Sequence, residues 1–330
     1  MANLSKPELL YKIVEAISDS GWNVLYISDR HPFKLNIYRD KESYLLKIYI
    51  WNITHGGGFK RPTNEYRIQV KVPYFEPETN YKILILGWWD EGNVFAGFDF
   101  EKHTQEIGWS ASFQVKREAL EKAYFNGIAS SDKENKEIAI AFKPEFLVDY
   151  VKNLKELHSF GESAKDLSIF EKIVADNEIE INDETLQKIS KPRRITVQTV
   201  SRKLRESSFK SRILTAYSFK CAFCDLQLKL IDAAHIVPVA DEESTDETSN
   251  GIALCALHHR AFDRALVTFD EKYRILSNDQ KIQQLIEIKQ DGKIDEFISQ
   301  LKPLINFPPA INDRPNKDYI LKANKIRGWF

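Results

Sequence analysis

Three cysteines and three histidines fall between positions 221 and 259: Cys221, Cys224, His235, Cys255, His258 and His259. They include every cysteine of the chain and three of its seven histidines. Two close pairs stand out, Cys221-x-x-Cys224 and Cys255-x-x-His258. Zinc prefers a tetrahedral set of sulfur and nitrogen, and a two-residue gap lets a tight turn present both side chains of a pair to one ion. With four such ligands no coordination position is left for water. The ion they predict is structural and holds a small module that buries too little apolar surface to fold alone. The competing reading is a buried thiol pair beside a surface histidine, without metal. An odd number of cysteines, two of them two residues apart, favours metal over disulfides.

Four residues of catalytic chemistry remain in the same stretch: His235, Asn250, His259 and Asp263. The Val-Pro-Val that follows His235 suits a strand end, whereas 259–263 suits a helix. Positions four apart share a helix face, so His259 and Asp263 are placed to grip one divalent ion. Phosphodiester hydrolysis needs an activated water, a cation on the scissile phosphate and help for the departing oxygen. A histidine near its ordinary pKa takes the proton from water, and a metal stabilises charge on phosphate and leaving oxygen. Asn250 is expected to hold the general-base imidazole by a hydrogen bond.

His235, Asn250 and His259 resemble the three residues of the His-Asn-His (HNH) endonuclease motif, a ββα-metal finger, and the nine-residue step from Asn250 to His259 matches that family's usual spacing. The segment is most similar to the zinc-bearing HNH modules of bacterial restriction enzymes, including McrA-type modification-dependent ones. Cys221-Ala-Phe-Cys224, Ala233-Ala-His-Ile236, Asn250-Gly251 and Cys255-Ala-Leu-His258 directly before His259 carry that resemblance, over about Arg202 to Phe269. It implies His235 as general base, Asn250 as its orienting partner, and His259 with Asp263 as ligands of a catalytic divalent cation, magnesium or manganese. It also implies double-stranded DNA as the substrate. Two departures matter. Ala234 stands where many HNH enzymes carry a further ligand, and Asp232 replaces it only if the strand is irregular, because residues three apart on a strand face opposite sides. His258 stands where a fourth cysteine is common, which leaves an exchange of roles with His259 open. A degenerate HNH fold kept as a zinc-stabilised binding module is the non-catalytic alternative.

The rest of the chain must position this module and select its target. Residues 6–20 place apolar side chains at helical spacing. Then come short aromatic and β-branched runs, 22–26, 34–38, 44–51, 66–72, 81–88, 94–99 and 109–115, separated by turn clusters. Five of the six tryptophans lie among them. A helical stretch, 144–157, ends this part. Residues 159–189 are acidic and helical in pattern, and between 191 and 220 nine basic residues face one acid, Glu206. Beside a nuclease motif this run is expected to touch DNA phosphate, with Arg193 and Arg194 foremost; a solvated helix face is the bland alternative. Beyond Asp263, 266–269 and 273–276 read as a hairpin, followed by helices near 295–301 and 317–325.

The expected architecture is therefore α+β: a β-rich target-recognition domain (1–158), a helical and basic connector (159–200) and a C-terminal zinc-stapled HNH nuclease domain (201–330). A finger of this kind reads little sequence, so target choice falls to the first domain. Its loop 56–65 joins a glycine turn to two cations, Lys60 and Arg61, as a DNA-entering loop would, and its aromatics suit a pocket for a flipped base. Recognition of a modified base is expected by analogy with related enzymes; a restriction enzyme specific for an unmodified sequence is the runner-up. One finger cuts one strand, so a double-strand break needs two nicks or two protomers, and a palindromic target favours a homodimer. The 43% hydrophobic and 29% charged fractions argue against whole-chain disorder. No apolar run is long enough for a membrane span and the first residues lack an apolar signal core, which makes the cytoplasm the expected location.

Overall fold

The computed structural model describes residues 3–55, 62, 64–108, 111–133, 135–175, 187 and 189–329. The chain divides into two compact units, Met1–Leu204 and Arg205–Phe330.

The first unit opens with α1 (Lys6–Asp19), started by a Ser5/Glu8 capping box in which the Glu8 carboxylate accepts from the Ser5 backbone N–H at 2.7 Å. Leu9, Leu10, Ile13, Ala16 and Ile17 form its buried stripe. The strands follow: β1 (Asn23–Ser28), β2 (Phe33–Arg39), β3 (Glu42–His55), β4 (Glu65–Gln69), β5 (Tyr81–Trp89), β6 (Val94–Phe98), β7 (Ser112–Lys116), β8 (Ile128–Asp132) and β9 (Ile138–Phe142). Among the described residues they make one mixed sheet, ordered β1-β2-β3-β5-β6-β9-β8. β3 and β5 run parallel, while β4 pairs antiparallel with the far end of β3 and with β7. β5 from Ile83, β6 and β9 are buried throughout, because helices cover the sheet. Such strands read as unbroken apolar runs rather than alternations.

α1 lies against β1 and β3, and α2 (Arg117–Asn126) against β8 and β9. The 144–157 stretch divides into α3 (Leu147–Lys152) and α4 (Leu154–Ser159), broken at Asn153. Two strands and a helix in this unit, α2, β8 and β9, have no counterpart in the sequence reading. β8 is Ile-Ala-Ser-Ser-Asp and β9 is Ile-Ala-Ile-Ala-Phe, too short and alanine-rich for a clear period. Trp109, where a strand was expected to begin, lies outside the described residues. So do Lys60 and Arg61.

α5 (Ala164–Ala175) packs on β8, and α6 (Lys191–Ala216) runs through the division between the units. Arg193, expected to touch DNA, is held by partners within the first unit. Its guanidinium donates to Asp166 at 2.5 Å, Glu162 at 3.2 Å, the Ser159 carbonyl at 2.7 Å and the Ser159 hydroxyl at 2.9 Å. It also lies over the Phe160 ring. Four of its five N–H donors are spent holding α6 to α5 and the turn before it. Arg194, the second expected contact, is half-buried, and its Nε is buried with no partner among the described residues. Arg193→Ala is expected to destabilise the first unit by about 3 kcal/mol, since it strands the Asp166 carboxylate. The salt dependence of DNA binding should stay unchanged, as paired denaturation and binding titrations would show.

The second unit holds β10 (Ile231–His235) antiparallel to β11 (Gly251–Cys255), then α7 (Ala256–Asp263), which packs on both strands. β12 (Val267–Phe269) and β13 (Ile275–Ser277) form the hairpin, followed by α8 (Asp279–Glu287), α9 (Ile294–Ser299) and α10 (Lys317–Ile326). Its core gathers Phe209, Ile213, Phe223, Ile252, Leu254, Phe262, Phe269 and Ile320. Among the described residues no helix is long and apolar enough to cross a membrane.

Candidate active site and metal centre

Backbone hydrogen bonds shape a tight turn around the first cysteine pair: Cys221 N–H donates to the Leu226 carbonyl and Asp225 N–H to the Cys221 carbonyl. Asp225 takes a left-handed φ of 64° to close it. Ala222 N–H donates to the Ala253 carbonyl, fastening the turn to β11. Cys255 caps α7, so its side chain and that of His258, three residues on, share the first helical turn. The ligand atoms of Cys221, Cys224, Cys255 and His258 all lie within 4.8 Å of one another. His258 Nδ1 is 3.3 Å from Cys255 Sγ and 3.5 Å from Cys221 Sγ. His258 is fully buried, and its Nε2 has no partner among the described residues, so Nδ1 is its ligating face. Three thiols and one imidazole converging at this range fit a metal ion of zinc's preferences. The thiols are unequal among themselves: the hydrogen bond from Cys221 draws Cys255 down to about 3, and the same pairing pushes Cys221 up. This geometry resolves the open exchange of roles, because it is His258 that joins the cysteines.

His235 ends β10, directly across from Gly251. Its ring lies flat on Phe209 of α6, with centroids 3.8 Å apart and 10° between planes. Its Nε2 sits 2.9 Å from Asp246 Oδ1. A carboxylate only accepts, so Nε2 carries the proton and Nδ1 keeps the lone pair. The side chain is 17% exposed, open enough for Nδ1 chemistry and tight enough to fix the ring. Arg212, one turn beyond Phe209 on α6, donates to the Asp246 carbonyl at 2.5 Å and to the Ser208 hydroxyl at 2.7 Å. One helix face thus steadies both the imidazole and its carboxylate partner.

Gly251 is what lets α6 approach. A Cβ there would stand 2.1 Å from Ile213 Cδ1 and 2.9 Å from Phe209 Cζ. Gly251→Ala is expected to cost about 1–3 kcal/mol of stability through overpacking. It should also lower cleavage by tenfold or more, because the displaced ring is the one His235 stacks on. Thermal melts and single-turnover cleavage would check both effects.

Asn250 departs from its expected role. It is fully buried, and its carboxamide does not bond the imidazole. Its Oδ1 accepts from Val237 N–H at 2.9 Å, while Nδ2 donates to the Thr245 carbonyl at 2.8 Å and the Ser244 hydroxyl at 3.4 Å. Its own carbonyl accepts from Ile236 N–H. Asn250 therefore staples the chain leaving His235 to the loop that carries Asp246, and a group with donors and an acceptor on one plane suits that double duty. Asp246 takes the position beside the imidazole. Nothing in the acidic run 241–247 singles it out from its neighbours in sequence.

β10 and β11 pair without interruption from Ile231 to His235, so the irregularity that Asp232 needed is absent. Asp232 instead pairs with Lys210 at 3.4 Å. His259 and Asp263 do share a face of α7, with Nε2 and Oδ2 3.6 Å apart and both side chains open to solvent. Arg327, beyond α10, was not anticipated. It donates to the Ile236 carbonyl at 2.7 Å and lies 4.2 Å over the Phe262 ring, bracing the strand exit after His235 from the other side.

Comparison with known proteins places names on both parts. Residues 221–270 match the model of the HNH endonuclease family, and residues 44–151 match a model described as methylase-associated X1. No curated protein matches the chain. A solved structure titled "Modification dependent TagI restriction endonuclease" is similar at 8% identity over 84% of this chain and 80% of that one, with a TM-score of 0.30. The chain carries an HNH endonuclease domain at its C-terminal end, preceded by a methylase-associated X1 domain, and is a hydrolase that cleaves DNA.

Proposed function

We propose that the protein is a divalent-metal-dependent restriction endonuclease in which the first unit selects the target, by a modified base, and the HNH module cuts. The observation that carries the catalytic half is the His235–Asp246 pair, stacked on Phe209 at the end of β10. With its proton fixed on Nε2, His235 takes a proton from the attacking water at Nδ1, and Asp246 stabilises the imidazolium that forms. His259 and Asp263 would hold the catalytic cation, magnesium or manganese, which supplies positive charge to the scissile phosphate and leaving oxygen. Cys221, Cys224, Cys255 and His258 would hold zinc, which crosslinks the turn, β11 and α7. Asn250 keeps the two loops flanking the imidazole in register. Phe209 and Arg212 hold base and carboxylate against α6.

The description "methylase-associated" supports a domain that deals with methylated DNA. It serves equally an enzyme that cuts what a methylase has left unprotected, so specificity for an unmodified sequence is the second reading. A double-strand break by one finger per chain further implies a homodimer or two successive nicks.

The test is cleavage of duplexes carrying 5-methylcytosine, 5-hydroxymethylcytosine, glucosylated cytosine or N6-methyladenine beside the unmodified sequence, with magnesium or manganese. Cutting of a modified substrate alone is expected. Cutting confined to unmodified DNA would transfer the proposal to the second reading. Binding of every substrate without cutting under any metal would overturn it in favour of a non-catalytic, zinc-containing nucleic-acid-binding protein.

A further inference from the structure

The first unit contains a cavity of about 540 Å³, inside the roughly 300–1,000 Å³ range of small-ligand sites. α1 contributes Lys6 and Leu9 to its wall and β3 contributes Trp51, Asn52 and Thr54, with His31, Gln69 and Lys71 among its other polar residues. Its chemistry is one-sided. Two lysines line it and no carboxylate does. Lys6 Nζ donates to the Ile50 carbonyl and sits 4.7 Å over the Trp51 ring, and neither it nor Lys71 has an acidic partner among the described residues. A cation half-buried without a counter-charge is costly. Burial and the neighbouring Lys71 charge accordingly pull Lys6 down to about 8.

His31 adds a third donor. The Ile50 backbone N–H donates to its Nε2 at 3.0 Å. Burial and the Lys6 charge hold the ring neutral, pushing its pKa down to about 3. The one N–H of a neutral imidazole must then be on Nδ1, for which the described residues offer no acceptor. The ring meets Trp51 edge-on at 5.0 Å, which makes this side of the cavity aromatic. A cavity that offers cations, an imidazole N–H and aromatic surface, and no anion, is built for an occupant that is anionic, rich in acceptors and partly planar. A smaller cavity of about 160 Å³ shares Asn3, Asn52 and Thr54 with it and is lined by Asp90 and Glu91. The acids lie on that side, so a phosphate belongs on the lysine side.

We infer that this cavity binds a single nucleotide turned out of the DNA duplex, its phosphate on Lys6 and Lys71 and its base on the His31–Trp51 side. The inference rests on the reading of the first unit as the selector of the target, and it names the place where selection occurs. Extrusion costs a few kcal/mol and is cheapest at a weakened pair. The phosphate contacts supply affinity without regard to sequence, and the base side discriminates.

The test uses the full chain carrying His235→Ala, so that DNA stays intact, with Lys71→Glu added as the charge reversal. Lys71 is exposed, so the reversal leaves the core untouched; Lys6→Met serves as a second variant that keeps the aliphatic stem. The probes are deoxynucleoside monophosphates, the corresponding nucleosides, and a duplex with 2-aminopurine in a mismatched pair, whose fluorescence rises on extrusion. Monophosphates are expected to bind at least tenfold more tightly than nucleosides. Both variants should lose tenfold or more for monophosphate and duplex alike, and should lose the fluorescence rise. Unchanged duplex binding and fluorescence in both variants would overturn the cavity's role while leaving target selection by the first unit intact. Lysine-dependent binding of monophosphates with no effect on the duplex would also overturn it, and would make the site one for a free nucleotide. In that event cleavage of modified and unmodified DNA tells independently whether the first unit selects a target.

Discussion

Replacing His235 by alanine is expected to lower strand cleavage by about 10³-fold, within the 10²–10⁴ that a positioned general base contributes. DNA affinity should change by less than threefold, because the side chain is small and the ring contacts Phe209 and Asp246 rather than an open surface. The companion variant Asp246→Asn isolates the partner. An asparagine still fills the space, but its amide offers donors as well as an acceptor. The imidazole is then free to turn the wrong tautomer outward, with its proton on Nδ1. A loss of about 10²-fold in kcat is expected, with KM nearly unchanged and partial recovery in Asp246→Glu. Single-turnover cleavage beside an equilibrium binding assay separates these quantities. Activity within threefold of wild type in His235→Ala would remove the imidazole from the chemistry altogether. Full activity in Asp246→Asn would reduce the 2.9 Å contact to a surface pairing.

Cys255→Ala is the second large effect, and it acts on the fold rather than on the reaction. Binding of a structural zinc is worth on the order of 10 kcal/mol at neutral pH. That equals the roughly 5–15 kcal/mol by which an entire domain is stable. Losing one thiolate of the cluster should therefore unfold the HNH module outright. The first unit, with its own large core around Trp88, Phe95, Phe142 and Tyr150, should keep its cooperative transition. Expected are one equivalent of zinc per wild-type chain and none in the variant, by elemental analysis. Limited proteolysis should then remove residues beyond the α6 region while sparing the first unit. A variant whose second unit resists protease as well as wild type would mean the thiols pack as ordinary buried side chains. Acid should mimic the variant, because protons compete with the metal for thiolate and imidazole. A chelator too weak to reach the buried cluster should abolish cleavage with no change in protease pattern, which tells the two metal sites apart.

The candidate site residues stood out in the sequence because their spacing constraints are local. A metal pair needs two side chains on one turn, and a helix face needs a four-residue step. Cys221–Cys224, Cys255–His258 and His259–Asp263 satisfy these within five positions each. The α+β class and the HNH module were legible for the same reason, as were the early strands, whose aromatic and β-branched runs are bounded by turn residues.

What surrounds those residues was decided only in three dimensions. Asp246 reaches His235 because the connection from β10 to β11 folds back on the strand end, bringing together positions eleven apart, and the four other acids of 241–247 look the same in sequence. Phe209 reaches it from twenty-six positions away, a pairing that no local spacing encodes. Asn250 stood out in the sequence, but its shortest bonds go to a backbone amide and a carbonyl, which every residue has and no sequence distinguishes. Arg193 is the plainest case. Charge alone makes any arginine in a basic stretch a candidate for phosphate, and only the fold reveals the two carboxylates and the carbonyl that have already claimed it. Identity and spacing along the chain determined which groups can bind metal and move protons. Which partner each group meets depended on packing between distant segments, where the energy of a contact is set by geometry that no local pattern encodes.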